Sequence, residues 1–397
     1  MGRLRTLSIE TNTVMARPTP LIPPPADDIP LGEGRSLRIG AQIGRGSMAT
    51  VYRAAIEAPF GVRRVVAVKV FDVIATDEHE GVLSSLAGAA RRWASLRHPN
   101  IVGFESFGMV GPAQPYALVE LVEGRTLTRF LSHLARLRER VPLDVALFIG
   151  LEIAEALAGA RLACTPEGMR TPVVHGELAP SDVLLSWHGE VKVGDFGFGA
   201  AARATSSVRS VRAMAQRVRA FAPEVARGKP ADARSDVFSL GVLLREMLVG
   251  PRFPAFVSEQ QAISWARDGV VYQNMFERQL PPLLRTILAR ALEREPVRRY
   301  PHAGAVAVEL RRAVLSMGVG DGRAFLRAAL ARAFGDEGAE DEEENTGEVR
   351  LPQPSGVLDR FARLRGDEPP ADAEGIKRME SGTVLVAGVE DDDVEEA

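Results

Sequence analysis

The chain has 397 residues, 46% hydrophobic and 25% charged, enough apolar material for one large core or two lobes. Its formal net charge of −3 hides an asymmetry: residues 336–397 carry 20 acidic and 6 basic side chains, a net of −14, which leaves +11 on the rest. A single cysteine, Cys164, excludes a disulfide framework, and no apolar run reaches the ~18 residues of a membrane-spanning helix.

Residues 1–34 contain PTPLIPPP and few periodic apolar positions, and read as a disordered, polyproline-like leader. From Ser36 to Val70 short β-type runs (LRIGAQIG, ATVYRAAI, RRVVAVKVF) alternate with glycine, which predicts antiparallel strands joined by tight turns. Helical spacing from about residue 77 to residue 96 stops at His98-Pro99-Asn100, where proline disfavours helical geometry in the residue before it. IVGFESFGMV and PYALVELV read as two more strands. Beyond Gly124 the spacing turns helical, in TLTRFLSHLARL, LDVALFIGLEIAEALAGARL, VFSLGVLLREML, PPLLRTILARALE and AVAVELRRAVL. Cys164 falls in an apolar helical context and is expected to be a small packing residue. The strand-like runs thus precede the helical ones, and residues 336–397 are expected to be a largely disordered acidic tail. Within that tail, Val357, Leu358, Phe361 and Leu364 share the spacing of a short docking helix. The first ten residues lack the apolar core of a secretory signal, so a cytoplasmic location is expected.

Three runs carry chemistry. Ile43-Gly44-Arg45-Gly46-Ser47-Met48-Ala49-Thr50-Val51 lies between strand-like segments, and glycines in such a turn let backbone amides approach phosphate. Val66-Ala67-Val68-Lys69 follows at strand spacing; with only four lysines among 49 basic residues, Lys69 is a marked choice over arginine. The segment His175 to Gly197 reads HGELAPSDVLLSWHGEVKVGDFG. Ala222-Pro223-Glu224, Asp236 in SDVFSLGVLL and Arg299 in EPVRRYP complete the series.

In order and spacing these runs resemble the protein kinase family, bacterial Ser/Thr kinases in particular, over about residues 36–315. The resemblance implies an α+β, two-lobed kinase-like fold with a small β-rich N-lobe at 35–122 and a larger α-helical C-lobe at 123–335. It implies ATP and Mg²⁺ as cofactors, a protein partner or protein substrate, and no nucleic acid. Ile43, Gly44, Gly46, Val51, Ala67 and Leu184 would surround the nucleotide. Glu120 to Val122 would form the hinge, Val119 would gate the back pocket, and Lys69 would hold the α and β phosphates. Asp195 and Asp182 would be metal ligands, and Glu177 the catalytic carboxylate.

The departures from the family pattern all fall on chemistry. Gly176 stands in place of Arg, Glu177 in place of Asp, Ala179 in place of the frequent Lys, and Asp182 in place of Asn. The helix glutamate that normally pairs with the strand lysine aligns with Ala89. Two readings follow: a nucleotide-binding pseudokinase in signalling, or an active Ser/Thr kinase with Glu177 as base and Asp182 and Asp195 as metal ligands.

Overall fold

The computed structural model describes residues 28–335, apart from 47–48, 73–79, 111–113, 165–167, 204–216, 255 and 273–274. The acidic tail with its candidate docking helix, and most of the leader, lie outside the described residues.

Strands β1 (Ile29–Gly32), β2 (Arg35–Arg45), β3 (Ala49–Glu57), β4 (Arg63–Phe71), β5 (Phe104–Val110) and β6 (Gln114–Glu120) form one antiparallel sheet in the order β1-β2-β3-β4-β6-β5. Helix α1 (Glu80–Ala94) lies between β4 and β5 in sequence. Side chains on a strand alternate between faces, so RRVVAVKVF divides its residues between two environments. Val66, Val68 and Val70 join Leu37, Tyr52, Ala54, Tyr116 and Leu118 in an outer cluster. Ala67 and Phe71 join Ala49, Ala117 and Val119 in the core that continues into the helical lobe. Lys69 lies two residues from each of the latter pair and shares their face. Strand pairing begins at Ile29, inside the segment expected to be a disordered leader, and Ile29 and Leu31 pack on the outer cluster. Four residues bearing Pro30 at a sheet edge are too short a run to announce a strand.

The second lobe contains α2 (Leu127–Leu137), α3 (Leu143–Arg161), α4 (Phe198–Arg203), α5 (Pro223–Ala226), α6 (Ala233–Val249), α7 (Glu259–Asp268), α8 (Pro282–Ala291), α9 (Ala303–Ser316) and α10 (Gly322–Phe334). Between its helices a three-stranded sheet pairs β7 (Gly124–Thr126), β8 (Val183–Ser186) and β9 (Val191–Val193). Helix α3 is apolar on nearly every side, and packs against α6, α9 and α10. Helix α10 lies beyond the helices read from sequence. Phe334 closes it onto Phe130, His133 and Trp187, and Arg125 stacks on Trp187. Gly189 makes room for its start: a Cβ there would lie 2.4 Å from the Arg323 carbonyl oxygen, and φ is +78°.

Cys164 is exposed just past the end of α3, not packed inside; the apolar helix that suggested burial ends before it. No described helix is long and apolar enough to cross a membrane.

Candidate active site

The loop from His175 to Asp182 is held by its backbone. Asp236, near the start of α6, is buried and accepts from the amides of His175 (2.9 Å) and Gly176 (2.8 Å). Burial pushes the Asp236 carboxyl up, opposed by His175 and those two amides. Gly176 has φ +83°, a left-handed geometry in which glycine costs least. His175 Nε2 meets the Gly194 carbonyl at 2.9 Å, and its ring packs on Phe196, with centroids 4.8 Å apart. Asn100, Val102 and β9 tie this loop to the first lobe through Val193 N to Asn100 O (2.8 Å) and Val102 N to Val193 O (3.0 Å).

Lys69 projects from the inner face of β4 and pairs with Asp195 through Nζ and Oδ2. Val51 lies beside it on β3, and Ala67 beside Val119 on β6. Burial pushes the Asp195 carboxyl up, but Lys69, with Arg217 and His175, overcomes this and holds it below the usual range. Asp195 has φ +63°, a strained geometry for a non-glycine residue. Helix α1 offers Lys69 no acid. Its inward residues are Val82, Leu86, Ala89, Ala90 and Trp93, and its one carboxylate, Glu80, is exposed at the first turn. Nine residues separate Glu80 from Ala89, about 13 Å along the helix.

Helix α4 packs where an α1 carboxylate would approach. Phe198 is fully buried, stacked on Phe71 (5.1 Å) and edge-on to Trp93 (5.6 Å). Gly197 backs onto Ala89: a Cβ on it would lie 3.7 Å from the Ala89 methyl. Gly199 covers Glu177, whose side chain has no exposure.

Asp182 is equally enclosed. Its carbonyl accepts from Gly194 N (2.8 Å). Its carboxylate accepts from Ala179 N (3.0 Å), from Ser181 Oγ (2.9 Å) and, bidentately, from Arg217 (3.1 and 3.0 Å). Arg217 also donates to the Glu177 carbonyl (3.1 Å), and its Nε lies 3.8 Å from Glu177 Oε2. Burial pulls the Arg217 guanidinium down, but Asp182 and Glu177 raise it above the ordinary arginine value. As hard oxygen donors both aspartates suit Mg²⁺. In this arrangement Asp195 fits the ion and Asp182 does not, because Arg217 holds both its oxygens. Among the described residues no three His, Cys, Asp or Glu cluster as a metal site.

The remaining expected residues lie on β2, β6 and β8 or just beyond those strands. Gly44 pairs with Val51 at the β2–β3 end, Ile43 is half-exposed there, and Gly46 N bonds to Ala49 O. Leu184 on β8 is partly buried against the core. Glu120 ends β6, with its side chain on Lys192 (2.7 Å) and Gly103 N (2.9 Å); Val122 follows beyond the strand. Arg53 spans from β3 to Glu123 (3.3 Å). Thr205, Ser206, Ser207 and Ser210 lie outside the described residues.

Sequence reasoning did not find Arg217 or Arg252. Arg252 is buried between the rings of Phe238 and Phe253 and donates to the carbonyls of Arg219, Phe221 and Val270, clamping the segment before α5. In a chain so rich in arginine neither residue type signals its role. Glu224 and Arg299 do pair as expected, bidentately at 2.7 and 2.9 Å, with Ser235 Oγ on the same carboxylate at 2.8 Å.

Comparison with known proteins agrees with this layout. The family model for protein tyrosine and serine/threonine kinases matches residues 37–307. The chain is similar to the tyrosine-protein kinase MasK of Myxococcus xanthus, 31% identical over 75% of this chain and 46% of that protein. It is also similar to a probable serine/threonine-protein kinase PknB of Lactococcus lactis, 31% identical over 66% of this chain and 39% of that one. The serine/threonine-protein kinase PknB of Mycobacterium leprae is 30% identical over 56% of this chain and 35% of its own length. The chain spans less than half the length of these curated relatives. With a β-rich lobe over a helical one and the ordered series Lys69, Asp195, Glu224, Asp236 and Arg299 in place, the chain belongs to the protein kinase family.

Proposed function

We propose that this chain binds ATP in the cleft between its sheet and its catalytic loop and acts in cytoplasmic signalling through a protein partner, with phosphotransfer weak or lost. Val51, Ala67, Val119 and Leu184 are the apolar residues toward the base, Lys69 the cation toward the phosphates, and Glu120 to Val122 the hinge backbone. Asp195 is the residue that would hold Mg²⁺, which neutralises charge on the phosphates when bound.

The observation that carries the loss of turnover is the burial of Glu177. A general base must come within about 2.6–3.2 Å of the heavy atom whose proton it takes. Glu177 instead sits at zero exposure beneath Gly199 and beside Arg217. The lysine partner missing from α1 adds to this, since nothing on that helix fixes Lys69 toward phosphate.

Transfer of radiolabelled phosphate in Mg²⁺ or Mn²⁺ tests the reading on the intact chain and on Asp195→Asn and Glu177→Ala. The expected result is incorporation no higher in the intact chain than in either variant. Robust transfer lost in both variants would instead establish an active kinase that uses Glu177 as base, with serine or threonine the expected acceptor.

A further inference from the structure

The Asp182 carboxylate is saturated. An ionised carboxylate offers roughly four lone-pair positions. Here Oδ1 accepts from Ser181 Oγ and Arg217 Nη1, and Oδ2 from Ala179 N and Arg217 Nη2, all within 2.9–3.1 Å. No position is left for a metal ion. The side chain of Asp182 is 1% exposed and that of Glu177 not at all, while Arg217 is 14% exposed.

Two carboxylates in so closed a space need a cation, since an uncompensated buried charge is strongly destabilising. Ala179 stands where related catalytic loops often carry lysine, so the loop itself supplies none. Arg217 reaches in from the segment before Ala222-Pro223-Glu224, and its planar fork matches Asp182 bidentately. It bridges Asp182 to the Glu177 carbonyl, drawing the two ends of the loop together.

We propose that Arg217 is a built-in cation that takes the place of a divalent metal at Asp182, so that the cleft keeps a single metal position, at Asp195. Arg217 is here a positioning residue: it compensates Asp182 and Glu177 and orders the loop between them.

The test uses the full chain with Mn²⁺ alone and no nucleotide, so its failure leaves the ATP reading standing. Unfolding midpoints are compared in EDTA, Mg²⁺ and Mn²⁺, and Mn²⁺ affinity is read from water-proton relaxation. The intact chain and Asp182→Asn are expected to bind Mn²⁺ alike. Arg217→Gln is expected to melt lower in EDTA, to recover in Mn²⁺, and to bind the ion about tenfold or more tightly than the intact chain. The double variant Arg217→Gln/Asp182→Asn is expected to lose both the recovery and the tighter binding. Weaker Mn²⁺ binding by Asp182→Asn than by the intact chain overturns the proposal, and this comparison decides the matter even if Arg217→Gln does not fold. Unchanged Mn²⁺ affinity in a folded Arg217→Gln overturns it as well.

Discussion

Replacing Lys69 by methionine removes one cation from the cleft and keeps a similar volume on the strand. If Lys69 contacts phosphate, the lost interaction is a charge-assisted one of about 1.5–3 kcal/mol, which weakens ATP by about 10- to 150-fold. At a concentration of ATP 100 times its Kd, binding stabilises the intact chain by about 2.7 kcal/mol. At the same concentration the variant keeps only about 0.3–1.4 kcal/mol. One kcal/mol moves Tm by about 2–4 °C in domains of roughly this size, so a rise of about 5–11 °C shrinks by half or more. A thermal-shift titration with ATP and Mg²⁺ measures this, each protein referred to its own ligand-free midpoint. The ligand-free midpoints carry a second signal. Burial raises the Asp195 carboxyl and Lys69 more than offsets it, so the folded value lies below the ordinary one. A depressed carboxylate contributes stability above the unfolded value, about 3.9, and loses it as pH falls toward the folded value. The deficit of Lys69→Met relative to the intact chain is therefore largest near neutrality and narrows below about pH 4. An unchanged ATP shift in Lys69→Met would refute the placement of the phosphate contact.

Three further outcomes follow from the geometry. Gly199→Ala puts a Cβ 2.4 Å from Glu177 Oε2 and 2.9 Å from its Cβ, so the Glu177 side chain and α4 must shift apart; a loss of about 1–3 kcal/mol and faster tryptic cleavage near Arg203 are expected, and an unchanged stability contradicts the packing. Glu224→Gln leaves the buried Arg299 without its carboxylate partner and should cost about 3–5 kcal/mol in chemical denaturation. Burial raises the Glu224 carboxyl, but hydrogen bonds from Arg299 and Ser235 hold it low, so the intact chain loses this contribution as pH falls below about 4.3 and the variant shows a shallower acid slope. Phe334→Ala should cost about 3–5 kcal/mol by undocking the end of α10 from Phe130, His133 and Trp187, whereas a loss under about 1 kcal/mol in urea would show that α10 adds little to the fold.

Much of the scaffold is legible in the sequence because each scaffold residue has a local or strongly spaced cause. The period-2 run around Lys69 assigns its face, and Glu224, Asp236 and Arg299 take the partners that the family pattern implies. What escaped were features whose short local sequence carries no clear signal. Ile29–Gly32 forms a strand because β2 offers it an edge, which four residues cannot announce. Cys164 inherits an apolar neighbourhood in sequence but falls after the last turn of α3, outside the core.

By itself, the sequence determined the order of the motifs through residue type and spacing, and through its resemblance to the protein kinase family it implied the two lobes and the acid missing at Ala89. Only the tertiary structure decided where the charges around the 175–182 loop go. It sent Lys69 to Asp195, buried Glu177 beneath Gly199, and brought Arg217 across 35 residues of chain onto Asp182. The physical reason is that burial makes an unpaired charge so costly that each carboxylate takes the nearest cation the fold presents, and nearness in the fold is not written in sequence spacing.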